Sequence, residues 1–398
     1  MSGSLLNEYI SKRMSATDLE SELMRLVVEY NKKKGSYLFV YASDMNKSGS
    51  INPAELSLSM NDYHIIHEML RTVNVEALDL YIETPGGSGE AAEEIVEFLH
   101  SKFETVDFVI AGEAKSAGTL MTMSADDIYM TDSGSLGPID AQVKIGRSVV
   151  SAFDYVRWMD QKREEAHNNK QLNPVDATMI AQITPGEFES VFNAQQFVID
   201  KLQEWLPKYK FKHWKETETR KLPVNEEMKK VQAEKIAKKL INRAKWLSHG
   251  RSLKIKELED IGLRIRRLED TKEICEIVYR IKTVLRVLFG SSTHYKVFVT
   301  ETEKLFRDAY APGFKRDIQS TSIQTPVAEI TATCPQCGKR YPLYTKFGKL
   351  PGEFEKNLAK KATKFPVDNK LSCECGFQFD LSGLRNQLEK QIGRKIVD

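Results

Sequence analysis

The chain has 398 residues, of which 41% are hydrophobic and 29% charged, with a formal net charge of +2; this length suits two or three domains and this apolar content excludes wholesale disorder. No run approaches the ~18 apolar residues of a membrane span, and the N-terminal MSGSLLNEYISKRMS lacks the apolar stretch of a secretory signal, so a cytoplasmic protein without a membrane span is expected. Four of the five cysteines fall in the last 65 residues, which argues for a reducing compartment and a metal rather than a disulfide framework.

Residues 15–34 predict a helix, with Leu19, Leu23, Leu26 and Val27 at helical spacing. YLFVYAS (37–43) predicts a buried strand, and 56–73 a second helix. ALDLYIET then predicts a strand, PGGSG (85–89) a turn, and 90–103 a helix. VDFVIAGEA is a further strand, SAGTLMTMSADD a short helix and IYMTD a strand. Strands alternating with helices predict an α/β domain with largely parallel pairing. From about 153 to 246 the pattern is mostly helical; 271–289 predicts an amphipathic helix and YKVFVTET one more strand. The Pro-, Ser- and Thr-bearing stretch 318–333 predicts a linker into a small module, 334–398.

The net charge hides an asymmetry. Residues 1–200 carry 16 basic and 31 acidic side chains, while 201–290 carry 24 and 13. Such a dipolar layout suits intramolecular packing or ordered self-assembly.

Asp44 to Glu55 satisfies the template of a calcium loop, with oxygen-bearing residues at positions 1, 3, 5, 9 and 12 and Gly49 at position 6. The context is wrong for calcium, because a strand rather than a helix precedes it. A polar strand-to-helix loop with an Asn52-Pro53 helix start is the better reading.

Two segments carry chemistry. Thr84-Pro85-Gly86-Gly87-Ser88-Gly89 and Ala114-Lys115-Ser116-Ala117-Gly118-Thr119 each follow a predicted strand and open a helix. Open α/β sheets place their sites at such strand ends. Glycines there let backbone N–H groups approach a ligand oxygen, and the amides of Gly87 and Ala117 can converge on an oxyanion. A serine at Ser116 is also compatible with an ordinary helix N-cap.

These residues resemble the Clp-type serine peptidase superfamily, which includes the Clp proteolytic subunit and signal peptide peptidase A. The closest likeness is to the serine dehydrogenase proteinase branch. It is carried by Tyr81-Ile82-Glu83-Thr84-Pro85-Gly86-Gly87, by Ala114 to Thr119, by Ala125-Asp126-Asp127-Ile128 and by Ser135-Leu136-Gly137-Pro138-Ile139-Asp140. Trp246-Leu247-Ser248-His249-Gly250-Arg251 and Glu257 to Leu263 extend it, so that it spans about 14–310. The resemblance implies a Clp/crotonase-like spiral of β-β-α units with helical extensions in residues 1–317, a peptide or protein substrate, and a homo-oligomer assembled through a helical arm at about 150–290. It gives Ser116 the nucleophile position and Gly87 and Ala117 the oxyanion hole.

The general base stays open at this level. The signal-peptide-peptidase branch uses a lysine downstream of the serine; Lys162 lies 46 residues and Lys170 lies 54 residues after Ser116. Either needs a depressed pKa to accept a proton. Asp140 stands where proteolytic Clp subunits place a histidine, and His249 is a further candidate or a helix-end residue. Lys115 adjoins the serine but should point away from it.

Cys334-Pro335-Gln336-Cys337-Gly338 and Cys373-Glu374-Cys375-Gly376 form two close cysteine pairs. Four thiolates make a closed tetrahedral Zn²⁺ site, and a module this small needs metal to fold. A structural zinc ribbon is expected. Residues 339–370 carry nine Lys or Arg and three acids, interspersed with Phe347, Phe354 and Phe365. That pattern fits docking of a partner or substrate protein, with nucleic acid as the alternative.

Three functions therefore compete: a serine peptidase with a recruiting zinc ribbon, an inactive scaffold on the same fold, and a nucleic-acid-linked factor acting through the ribbon.

Overall fold

The computed structural model describes residues 4–49, 51–139, 141–145, 148–217, 221–241, 246, 250–309, 327–348, 352–392 and 395–396. The chain divides into two units, 1–309 and 310–398.

The first unit opens with helices α1 (Leu5–Ser11) and α2 (Ala16–Lys34), then strand β1 (Tyr37–Ser43). Ser15 caps α2 in a capping box with Asp18, and Gly35, at φ 78°, ends it in the left-handed conformation. Helices α3 (Pro53–Leu56) and α4 (Met60–Leu70) lead to β2 (Ala77–Glu83), α5 (Gly89–Lys102) and β3 (Thr105–Ile110). There follow β4 (Glu113–Ala114), α6 (Ala117–Thr122), β5 (Ile128–Met130) and β6 (Ser135–Leu136). A hairpin, β7 (Gln142–Ile145) and β8 (Ser148–Ser151), precedes α7 (Ala152–Asn169), α8 (Pro174–Ile180), α9 (Pro185–Trp205) and α10 (Glu226–Leu240). The unit closes with α11 (Ile255–Ile261), β9 (Ile265–Arg267), α12 (Lys272–Ser291), β10 (His294–Val299) and β11 (Lys304–Asp308).

Seven strands form one sheet in the order β11-β10-β1-β2-β3-β5-β9. The run from β1 to β9 is parallel, while β10 and β11 join antiparallel at one edge. Both faces are covered, as parallel sheets require. On β1, Phe39 and Tyr41 enter the core beneath α4, α5 and α9, whereas Leu38, Val40 and Ala42 enter the core beneath α2 and α12. The apolar stripe of α12, including Ile274, Val278, Ile281, Leu285 and Leu288, is buried in the second core; full burial of each such side chain stabilises by about 1.5–3 kcal/mol.

Beyond the C-terminal ends of the main strands runs a second, short ladder. Leu58 bridges Gly87, Thr84 bridges Ala114, β4 pairs with β6, and Leu136 bridges Leu253. The chain thus passes repeatedly from a main strand through a ladder segment into a helix, which is the Clp-like α/β arrangement that the resemblance implies.

Several local expectations change in the fold. The helix expected over 56–73 is interrupted at Ser57–Ser59, because Leu58 gives both of its backbone groups to the Gly86–Ser88 turn: its N–H donates to Gly86 O at 2.7 Å, and its carbonyl accepts from Ser88 N at 2.9 Å. The β7–β8 hairpin and the strands β9 and β11, each of only three to five residues, escape the pattern. At the calcium-like loop, β1 precedes where an EF-hand needs a helix; Asp44 faces Lys47, whose ammonium also donates to the carbonyls of Phe289, Ser292 and His294.

The second unit contains β12 (Val327–Thr333) antiparallel to β13 (Arg340–Lys346), α13 (Gly352–Ala359), and β14 (Thr363–Lys364) parallel to β13. A second hairpin, β15 (Lys370–Ser372) and β16 (Gln378–Asp380), leads into α14 (Ser382–Ile392). Its core gathers Ala332, Leu343, Phe347, Phe365, Leu381 and Leu388. The end of the expected linker, 327–333, is strand β12; residues 318–326 lie outside the described residues. Among the described residues, no helix is long and apolar enough to cross a membrane.

Candidate active site and metal centre

Ser116 stands between β4 and α6 with φ 49° and ψ −115°, a backbone conformation that residues with a side chain rarely adopt. Such a residue costs on the order of 1–3 kcal/mol and persists only where its surroundings over-determine it. They do so here. Lys115 N donates to Thr84 O at 3.0 Å, Thr84 N to Glu113 O at 2.9 Å, and Gly118 N to Lys115 O at 2.8 Å. Thr119 Oγ1 donates to Ala114 O at 2.8 Å and accepts from Gly137 N at 2.9 Å. The serine is half-buried, and its Oγ has no hydrogen-bond partner among the described residues.

The glycine turn packs directly on this elbow. Gly86 has φ 99°, and a Cβ there would lie 2.8 Å from Lys115 O and 3.2 Å from Ala117 N. Gly87, at φ 150°, lies against Leu58; a Cβ would stand 2.3 Å from Leu58 O. Among the described residues neither Gly87 N–H nor Ala117 N–H donates to a protein acceptor. Two main-chain donors are therefore left over on the two segments that meet at the serine. Leu58 was not singled out from sequence; only its tertiary pairing reveals it.

Lys115 points away from this cleft. Its ammonium donates to Ser252 Oγ at 2.8 Å and to Arg251 O at 3.3 Å, and burial pushes its pKa down against the pull of Glu113. Lys162, on α7, is paired with Glu165 at 2.8 Å and Asp176 at 3.1 Å. Those hydrogen bonds, Glu165 first, hold its pKa above the ordinary value. Lys170 is exposed and ends α7 with φ 56°. Among the described residues no hydrogen bond joins Lys162 or Lys170 to Ser116. Asp140 and His249 lie outside the described residues.

The four C-terminal cysteines are brought together by two backbone turns. After β12, Cys334 N donates to Lys339 O at 2.8 Å and Gly338 N to Cys334 O at 2.9 Å; Gly338 has φ 74°. After β15, Cys373 N donates to Phe377 O at 2.7 Å and Gly376 N to Cys373 O at 2.9 Å; Gly376 has φ 89°. Each left-handed glycine closes its turn, the second turn being one residue shorter than the first. Sγ of Cys334 lies 3.6 Å from that of Cys375, Sγ of Cys337 lies 3.5 Å from that of Cys373, and all four lie within 4.8 Å of one another. Tetrahedral thiolates with ~2.3 Å bonds to one ion stand roughly 3.8 Å apart, so these residues fit one metal ion. Tyr341 Oη donates to Cys373 Sγ at 3.1 Å and holds that thiol from outside the cluster.

The aromatic residues of the basic insertion are committed elsewhere: Phe347 and Phe365 are buried in the core of the second unit. They are not free to stack on bases. The side chain of Phe354 lies outside the described residues.

The chain is 30% identical over 109 residues to Uncharacterized protein MJ0137 of Methanocaldococcus jannaschii, covering 26% of this chain and 37% of that protein. It is 34% identical over 80 residues to Uncharacterized protein MJ1495 of the same organism, covering 19% and 27% respectively. The chain thus spans well under half the length of these relatives. Among solved structures it is similar to a serine-to-alanine mutant of the 1510-N membrane-bound stomatin-specific protease, with 14% identity, a TM-score of 0.32, and coverage of 56% of this chain and 79% of that one. A lysine-to-alanine mutant of the same protease in complex with a substrate peptide has 14% identity, a TM-score of 0.31, and coverage of 64% and 83%. Residues 55–214, which hold Ser116, Gly87 and Ala117, match the family described as ClpP-like SDH-type serine proteinase.

Proposed function

We propose that the protein is a serine endopeptidase in which Ser116 attacks the carbonyl carbon of a peptide bond. The observation that carries this reading is the packing of the Gly86–Gly87 turn on the strained Ser116 elbow, with the Gly87 and Ala117 N–H groups uncommitted among the described residues. In the first half-reaction the Ser116 hydroxyl proton passes to a lysine amine, its oxygen bonds to the substrate carbonyl, and the resulting oxyanion accepts hydrogen bonds from Gly87 and Ala117. The C–N bond then breaks, the lysine returns the proton to the leaving amine, and an acyl-enzyme remains. Water, deprotonated by the same lysine, releases the acyl group.

Lys162 is our first assignment for the base and Lys170 the second. To serve, Lys162 has to leave Glu165 and Asp176, because a paired ammonium holds its proton at neutral pH. That pairing also favours a second reading, a catalytically silent scaffold on the same fold. Labelling with a fluorophosphonate and mapping the modified peptide separates the two: the peptidase reading expects modification at Ser116 and none in Ser116→Ala. An unlabelled wild-type chain whose slow peptide turnover is unchanged in Ser116→Ala overturns it.

We further propose that the four cysteines hold a structural Zn²⁺. The ion would supply folding free energy to the second unit and take no part in hydrolysis. On this reading the ribbon recruits a protein substrate or partner, and the chain acts as a homo-oligomer in the cytoplasm.

A further inference from the structure

We infer that the buried Lys296–Asp62 ion pair is a positioning device for the oxyanion hole, acting on Gly87 through the backbone of Leu58. The inference rests on the peptidase reading of Ser116 and deepens it. Lys296 is 1% exposed and Asp62 fully buried, and their charges meet at 2.7 Å. A pair this deep requires close geometry and further hydrogen bonds to offset desolvation. Besides a long contact from Tyr41 Oη to Asp62 at 3.5 Å, those extra bonds go to the two residues that flank Leu58. Lys296 Nζ donates to the carbonyl of Ser57 at 2.7 Å, and Asp62 accepts from Ser59 N at 2.8 Å and Ser59 Oγ at 3.0 Å.

One ion pair thus grips the chain immediately before and immediately after Leu58. Leu58 in turn holds both sides of Gly87, donating to Gly86 O and accepting from Ser88 N. The Cβ-free face of Gly87 rests on the Leu58 backbone, so a shift of that strap moves the Gly87 peptide with it. Ser43 Oγ donates to Leu56 O at 2.7 Å, and Ser43 pairs in register with Lys296 across β1 and β10. The strap is therefore anchored to the rigid sheet rather than to a surface loop. The second oxygen of Asp62, Oδ1, is buried without a hydrogen-bond partner among the described residues. That cost is difficult to explain for a pair whose only role is to fill the core, and intelligible for one that fixes a backbone. Neither residue touches the reacting atoms; both act through Leu58.

The test uses the full chain with Lys296→Met/Asp62→Asn, which removes both charges together, and Lys296→Arg as the conservative control. Two readouts are taken: hydrogen exchange of the Leu58 and Ser88 amides, and the rate of Ser116 labelling by a fluorophosphonate alongside kcat and KM on a peptide. The inference expects the double variant to exchange those amides at least ~10-fold faster and to lose about 10- to 100-fold in labelling and kcat. KM should stay within about twofold, and Lys296→Arg should recover most of the loss. Unchanged exchange and labelling in a double variant that keeps its β1 and β10 protection overturn the inference. If the double variant unfolds, Lys296→Gln/Asp62→Asn, a neutral pair that leaves no buried charge uncompensated, gives the same comparison with a smaller loss. A wild-type chain that takes up no label, while Ser88 exchange still responds to the variants, removes the peptidase reading and leaves the brace in place. Unresponsive exchange removes the brace whatever the labelling shows.

Discussion

A Cβ on Gly86 would lie 2.5 Å from the Cβ of Ser116. The glycine turn and the serine elbow are thus in van der Waals register, and the turn tolerates no side chain on that side. Gly86→Ala and Gly87→Ala also force an alanine into φ 99° and φ 150°. Each should slow Ser116 labelling by at least ~100-fold, comparable to loss of an oxyanion donor. The measurement is labelling rate against circular dichroism, with the helical signal retained.

The pairing of Lys162 with two carboxylates makes a signed prediction about pH. If Lys162 is the base, activity rises with pH as its ammonium deprotonates. Glu165 and Asp176 hold that pKa up, so Glu165→Gln/Asp176→Asn should move the rise to lower pH. Lys162→Ala should lose turnover while Lys170→Ala keeps it. The check is the pH profile of kcat/KM on one peptide.

Gly112 is packed against Glu83. A Cβ at Gly112 would come within 2.2 Å of the Glu83 carboxyl carbon and within 2.6 Å of both its oxygens. Glu83 is buried, and that burial raises its pKa. Gly112→Ala should cost about 1–3 kcal/mol through overpacking, read as a lower thermal midpoint of the first unit.

His294 ties the sheet edge to α2. Its ring lies 2.6 Å from Asp308 and 3.1 Å from Glu20 and stacks on Phe306. Burial lowers its pKa, but hydrogen bonds to Asp308 and Glu20 outweigh it and raise the group to about 9. A raised pKa means the folded state binds the proton more tightly. The stabilisation is complete below the unfolded value near 6.5 and is lost as pH climbs through about 9, at most on the order of 3 kcal/mol. His294→Gln should flatten the fall in melting temperature between those two pH values.

Removing metal should affect the two units unequally. A chelator, or Cys373→Ser, should release about one equivalent of zinc and make the hairpins after Val327 sensitive to protease, while residues 16–309 keep their resistance. Limited proteolysis with mass mapping gives the answer, and metal content is read with a chromogenic chelator.

Much of this molecule was legible in residue order. The α/β alternation, the Ser116 elbow, the paired glycines and the cysteine pairs are local patterns, set by side-chain spacing and by glycine's access to positive φ. The interruption at Ser57–Ser59 was not legible, because apolar spacing continued through it while its backbone was claimed by Gly86 and Ser88. Strands β9 and β11 escaped because they are short edge segments of three and five residues, and the partner of β9, β5, is distant in sequence.

Amino-acid order by itself carried the family resemblance, the strand-to-helix position of Ser116 and the two close cysteine pairs, since each depends on residues within a few positions of one another. Folding alone decided that Leu58 clasps Gly87, that Lys296 meets Asp62 across 234 residues, and that Asp176 reaches Lys162 from the next helix. Those contacts join different elements of the fold, and periodicity along a chain carries no information about which charges of separate elements meet.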